Sequence, residues 1–177
     1  MDARCARIAR VPNPSSPAIG ERRLPRSDRV APVSNPCLLQ QHLRIYLEDT
    51  DAGGIVYHAS WLRFFERART DWLRTLGIEQ SRLAPAADLS FVVKDMQIDF
   101  ISPGRLDQRI RTELRLLESR RASLRLDQRA LSEESGALLV EAQVRIAAIR
   151  LSDGRPRALP DRLIEQATAT LSQPTSN

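Results

Sequence analysis

One long segment of this sequence repeats with the period of a helix, and the segments around it alternate. Trp61, Phe65, Ala68, Trp72 and Leu76 recur at steps of four, three, four and four, one apolar stripe on a helix over residues 59–76. Gly77 follows where a helix C-cap belongs. Before the helix, Leu43, Ile45 and Leu47 share one face of a strand over 42–47. After a looser segment over 79–87 that ends in Pro85, Met96, Ile98 and Phe100 alternate with Gln97 and Asp99. Three more alternating runs follow: Ile110 to Leu116, Leu124 to Ala130, and Leu138 to Ala148. Turn residues near Ser119-Arg120 and at Glu134-Ser135-Gly136 make the last three an antiparallel meander. Pro160 opens a short amphipathic helix to about Ala169.

Five strands, each with one apolar face, and a single long helix leave an economical solution. The fold class is α+β: a five-stranded antiparallel sheet wrapped around the helix. One helix leaves the sheet edges open, and open edges invite a second copy. The strand at Val92–Phe100 is the best candidate for that pairing, so a homo-oligomer is expected.

The two ends of the chain read differently. Residues 1–38 hold six of the eleven prolines and few periodic apolar positions, a basic Pro/Arg-rich tail expected to be disordered. Residues 39–170 form the domain, and 171–177 a disordered C-terminus. Seven arginines face three acids in residues 1–38, so +4 of the net +5 belongs to the tail. The folded part is about neutral, which argues against nucleic acid as a partner. Cys5 and Cys37 both fall in the tail, and His42 and His58 are the two histidines. A disulfide scaffold and a cysteine-ligated zinc site are therefore excluded from the expected core, and two histidines leave little material for a histidine metal centre. No apolar run suits a membrane span or a secretory signal, and a cytoplasmic setting is expected.

The chemistry concentrates between Glu48 and Tyr57. Glu48, Asp49 and Asp51 precede Gly53-Gly54 and the start of the helix. Glycines let a ligand approach the backbone. A helix N-terminus offers free N–H groups and the positive end of a dipole, fit to polarise a carbonyl oxygen. A carboxylate beside it would attack that carbonyl or orient a water. From spacing alone, an Asp-Gly turn feeding a helix explains the same residues.

The run from Tyr46 to Trp61, Tyr-Leu-Glu-Asp-Thr-Asp-Ala-Gly-Gly-Ile-Val-Tyr-His-Ala-Ser-Trp, followed by Phe65-Glu66-Arg67-Ala68-Arg69-Thr70, closely resembles hotdog-fold acyl-CoA thioesterases. It is most similar to the Tol-Pal-associated branch of the 4-hydroxybenzoyl-CoA thioesterase superfamily. The resemblance continues through Phe91-Val92-Val93, residues 142–146 and Pro156-Arg157-Ala158-Leu159-Pro160, and spans about residues 41–166. It implies the hotdog fold, a dimer or dimer of dimers with sites at the subunit interface, and hydrolysis of an acyl thioester. Coenzyme A is then part of the substrate, or acyl carrier protein replaces it, and no cofactor or metal is implied.

By position in the motif, Asp51 matches the family's catalytic aspartate. The His58 backbone N–H falls where the family places the donor to the thioester carbonyl, with the His58 side chain in reach. Gly54, Ile55, Val56, Tyr57 and Trp61 are the expected substrate-binding residues. Trp61, Phe65 and Trp72 are also expected in the core. Asp49 is expected to cap loop N–H groups, and His42 to be solvated. Glu66 is expected to pair with Arg63, Arg69 or Arg109, and stands as the reserve acid because a related branch carries its catalytic acid on this helix. The alternative function is a non-catalytic hotdog module that binds acyl carrier protein or cell-envelope partners.

Overall fold

A computed structural model describes residues 35–172. The expected tail therefore lies outside the described residues up to residue 34, and the expected C-terminal disorder from residue 173 on. Eight elements build the domain. Strand β1 (Cys37–Arg44) leads through a 3-10 turn at Leu47–Asp49 to helix α1 (His58–Thr75). Then come α2 (Gln80–Ala87), β2 (Leu89–Phe100), β3 (Arg109–Arg120), β4 (Ser123–Ser132), β5 (Leu138–Arg150) and α3 (Asp161–Leu171).

The strands form one antiparallel sheet in the order β1-β3-β4-β5-β2. The α+β arrangement expected from the alternation is present, with β3, β4 and β5 as the meander. Its two edges are β1 and β2. The apolar side of the sheet packs on α1 because both patterns are in phase. Trp61, Phe64, Phe65, Ala68, Trp72 and Leu73 of α1 are buried together with Ile110, Leu114, Leu116, Leu124, Leu126, Val140, Val144 and Ile146 of the sheet. Burial of each such large side chain contributes roughly 1.5–3 kcal/mol, so this seam is the main source of cohesion. One part of the core gathers around Trp72 and Leu163; the other, around Ile45, Val56, Trp61 and Phe65, underlies the loop before α1.

Several boundaries differ from the expectation. β1 starts at Cys37, inside the stretch read as a tail, because pairing of Cys37 opposite Arg115 of β3 outweighs the local composition. Leu47, expected on the apolar face of the first strand, is exposed in the 3-10 turn. The strand ends once Ile45 has exchanged hydrogen bonds with Asp107 and Gln108. α1 starts at His58, one residue early, and ends at Thr75 with Gly77 at φ +71° as its left-handed stop. The segment read as loose is helix α2, and α3 runs on to Leu171, into the expected C-terminal disorder. No helix among the described residues is long and apolar enough to cross a membrane.

Candidate active site

The loop between the 3-10 turn and α1 is held by its own backbone. Asp51 N–H donates to Ile55 O at 2.9 Å, and Gly54 N–H returns to Asp51 O at 3.0 Å. Gly54 sits at φ +70°, a conformation that favours glycine at this tight turn. The loop is then pinned at both ends. Tyr57 N–H donates to Asp49 O at 2.8 Å, and Val56 N–H to Gly104 O at 2.9 Å. Asp49 plays the capping role expected of it: it is buried, and its Oδ2 accepts the Tyr46 N–H at 2.9 Å.

Asp51 is exposed at the surface of this frame, with Oδ1 accepting the Gly53 N–H at 2.8 Å. That bond fixes the carboxylate against its own turn and leaves Oδ2 available. Seven positions on, His58 opens α1. Tyr57 is the N-cap and supplies no side-chain cap. The Ser60 N–H bonds Tyr57 O at 2.8 Å. Among the described residues no acceptor meets the N–H of His58 or Ala59. The helix therefore presents open donors and its positive end beside a carboxylate.

Asp51, Ile55, Val56, His58 and Trp61 line one groove of about 350 Å³. Its far wall is Phe100, Ile101, Ser102 and Pro103, at the end of β2. Trp61 serves two roles: it is 2% exposed, stacks edge-on against Phe64 with ring centres 5.7 Å apart, and still floors the groove. Tyr57 and Gly54 stand outside this lining. The Tyr57 ring sits against the His58 imidazole, tilted by 55° with ring centres 4.3 Å apart. A Cβ at Gly54 would meet nothing within 4 Å, so its glycine serves the turn. The second wall was not foreseen from the sequence. Its signal was an apolar pair, Phe100-Ile101, immediately before the turn residues Ser102-Pro103-Gly104, and both members of that pair are about half exposed.

Glu66 is not in the groove of its own chain. With Arg69, Thr70 and Gln80 it borders a separate cleft of about 100 Å³ against Phe91, Val92 and Val93 of β2. Its expected arginine partner is replaced by Thr70, whose hydroxyl donates to Glu66 Oε1 at 2.6 Å. Arg69 instead turns inward, 8% exposed, and donates to Gln128 Oε1 at 2.7 Å. Burial pulls the Arg69 guanidinium below its ordinary pKa, and the nearby Glu66 charge opposes this. His42 is exposed, as expected, and pairs there with Glu133. Among the described residues no cluster of three or more His, Cys, Asp or Glu side chains is placed to hold a metal ion.

The site thus juxtaposes a fixed carboxylate, open helix N–H groups and an apolar floor. Residues 45–167 match the model of the Thioesterase-like superfamily. The chain is 42% identical over 118 residues to the acyl-CoA thioesterase YbgC of Haemophilus influenzae, covering 67% of this chain and 85% of that protein. It is 39% identical over 132 residues to the acyl-CoA thioester hydrolase YbgC of Escherichia coli O6:H1, covering 75% of this chain and 97% of that one. Among solved structures, a probable thioesterase from Bartonella henselae is 38% identical, covers 69% of this chain and 98% of its own, and superposes with a TM-score of 0.64. With the sequence matching from Ile45 to Ala167 and the fold in agreement, this chain belongs to the thioesterase-like superfamily.

Proposed function

We propose that the chain hydrolyses acyl-CoA thioesters, with Asp51 and the start of α1 as the working parts. The thioester carbonyl oxygen accepts the His58 N–H, and the negative charge that develops on it is stabilised by that donor and the helix end. The Asp51 carboxylate acts on the carbonyl carbon, as nucleophile or through a water it orients. The C–S bond breaks, coenzyme A leaves as its thiol, and water supplies the hydroxyl of the carboxylic acid. The His58 side chain orients the substrate beside the Tyr57 ring. The acyl group lies on Trp61, Ile55 and Val56. The single observation that carries this reading is the shared groove of Asp51 and His58, at a helix start with no side-chain cap.

The enzyme works as a homodimer through β2 in this reading. β2 is an edge strand, and Val92, Val93 and Phe100 are exposed along it. The groove lies at its C-terminal end and the Glu66 cleft along its N-terminal half. Antiparallel pairing about a two-fold axis swaps these ends. Each groove then faces the cleft of the second copy, and turnover depends on assembly.

Thiol release from a panel of acyl-CoAs and acyl carrier protein thioesters, followed with a chromogenic thiol reagent, tests the proposal. Release with at least one of them is expected. No release from any would favour a binding module for acyl carrier protein.

A further inference from the structure

α1 must be aimed as well as buried. Its apolar contacts are non-directional and would tolerate a small rotation about the helix axis. Directional ties are few. Among the described residues, the side-chain hydrogen bonds between α1 and the sheet come from two glutamines. Gln41 of β1 donates from Nε2 to Asp71 Oδ2 at 2.6 Å. Gln128 of β4 makes two bonds: Nε2 donates to Phe65 O at 2.9 Å, and Oε1 accepts from Arg69 Nη1 at 2.7 Å.

The geometry points to Gln128 as a positioning residue for the thioesterase reaction, locking the rotation of α1 so that its first N–H groups face Asp51. Gln128 is fully buried on the central strand β4, opposite Leu114 and Ala142. Its two bonds grip residues four apart, Phe65 and Arg69, on one side of the helix. The Phe65 carbonyl already accepts the Arg69 N–H as the helix ladder requires, so one amide closes a ring with a single helical turn. The Gln41–Asp71 bond grips a different flank of the same helix. Asp51 is held by a different set of contacts, through Ile55 and the Val56–Gly104 bond. The Tyr57–Asp49 bond ties the loop to the head of α1, and the residues after it turn with the helix. A rotation of α1 would re-aim His58 against the tethered Asp51, and misplacement by about 1 Å can cost ~10²-fold in rate.

This inference rests on the proposed roles of Asp51 and His58, and its test separates the two. Arg69→Met with Gln128→Leu replaces the buried polar pair by apolar groups of similar volume, a change that is often neutral for stability. The double variant is expected to melt within a few degrees of wild type. Its kcat should fall at least ~10-fold with KM nearly unchanged. Wild-type kcat at a wild-type melting point would overturn the proposal. Should the double variant fail to fold, Gln128→Glu supplies the second reading. Its carboxylate still pairs with Arg69 but has no N–H for Phe65 O, so the fold is kept and kcat falls. Protonation at lower pH returns an O–H donor, and the kcat of this variant relative to wild type should rise as pH falls. A ratio independent of pH, with kcat at the wild-type level, also overturns the proposal. Loss of activity in Asp51→Asn, measured alongside, reports on the catalytic reading independently of α1 alignment.

Discussion

The Val56 N–H donates to the Gly104 carbonyl at 2.9 Å, and that bond makes the two loops bordering the groove one unit. Ile55 and Arg105 add an isolated bridge beside it. Gly104 itself is wedged under Trp61. A Cβ there would come within 2.8 Å of Trp61 Cζ2 and 3.0 Å of Ile45 Cδ1.

Gly104→Ala is therefore expected to displace the Trp61 ring. Overpacking of this kind costs about 1–3 kcal/mol, and each kcal/mol lowers the melting point by roughly 2–4 °C for a chain of this size. Because Trp61 floors the groove, KM for acyl-CoA should rise as well. An unchanged melting point with unchanged KM would show that the floor yields freely.

Asp51→Asn preserves the shape of the turn and an acceptor for the Gly53 N–H while removing the charge. Its kcat is expected to fall at least ~10²-fold, the loss typical of a positioned catalytic group, with the melting curve retained. Glu66→Gln should keep most of the turnover, because the amide oxygen still accepts from the Thr70 hydroxyl and preserves the cleft that faces the second copy's groove. The reverse pattern in thiol-release assays would move the catalytic role to Glu66.

Val93→Asp places a charge on the open edge of β2, where Val93 is 51% exposed. The isolated domain loses little by it. Two copies meeting at this edge would bury like charges against each other, so the variant should be monomeric at 19.9 kDa by light scattering. Turnover should fall with assembly. A wild-type monomer with full activity at micromolar concentration would sink the interface model.

Asp127 on β4 bears on pH dependence. Burial raises its pKa, against the opposing charges of Arg129 and Arg115 and with help from Glu113. Its Oδ2 lies 3.1 Å from Arg129 Nε, and this pairing does not offset the desolvation. A carboxyl whose folded pKa lies above its unfolded value stabilises the fold at pH below the unfolded pKa. That contribution is lost as pH rises through the folded pKa. Asp127→Asn should thus gain melting temperature relative to wild type as pH rises from about 4 to 7. A difference that shrinks over this range would refute the assignment.

The local sequence already contained the helix, the strands and the proximity of Asp51 to His58. Alternation and the Trp61–Trp72 stripe state which face of each segment is apolar. A separation of seven positions, with glycines at 53 and 54, bounds how far the carboxylate lies from the helix start but not how the two are aimed. The same patterns gave no hint that Arg69 turns inward to Gln128, that Cys37 already belongs to a strand, or that Phe100 to Pro103 form the second wall. A residue's apolar or polar character fixes whether burial is favourable, not which distant segment provides it. Arg69 sits beside the apolar stripe, and only a glutamine on β4, 59 residues away, makes its burial tolerable. The wall at Phe100 depends on the register of β2 against β5, in which Phe100 lies opposite Val140. That register is set by pairing between segments far apart in the chain, and it is the tertiary structure that carried the end of β2 to the mouth of the Asp51 loop.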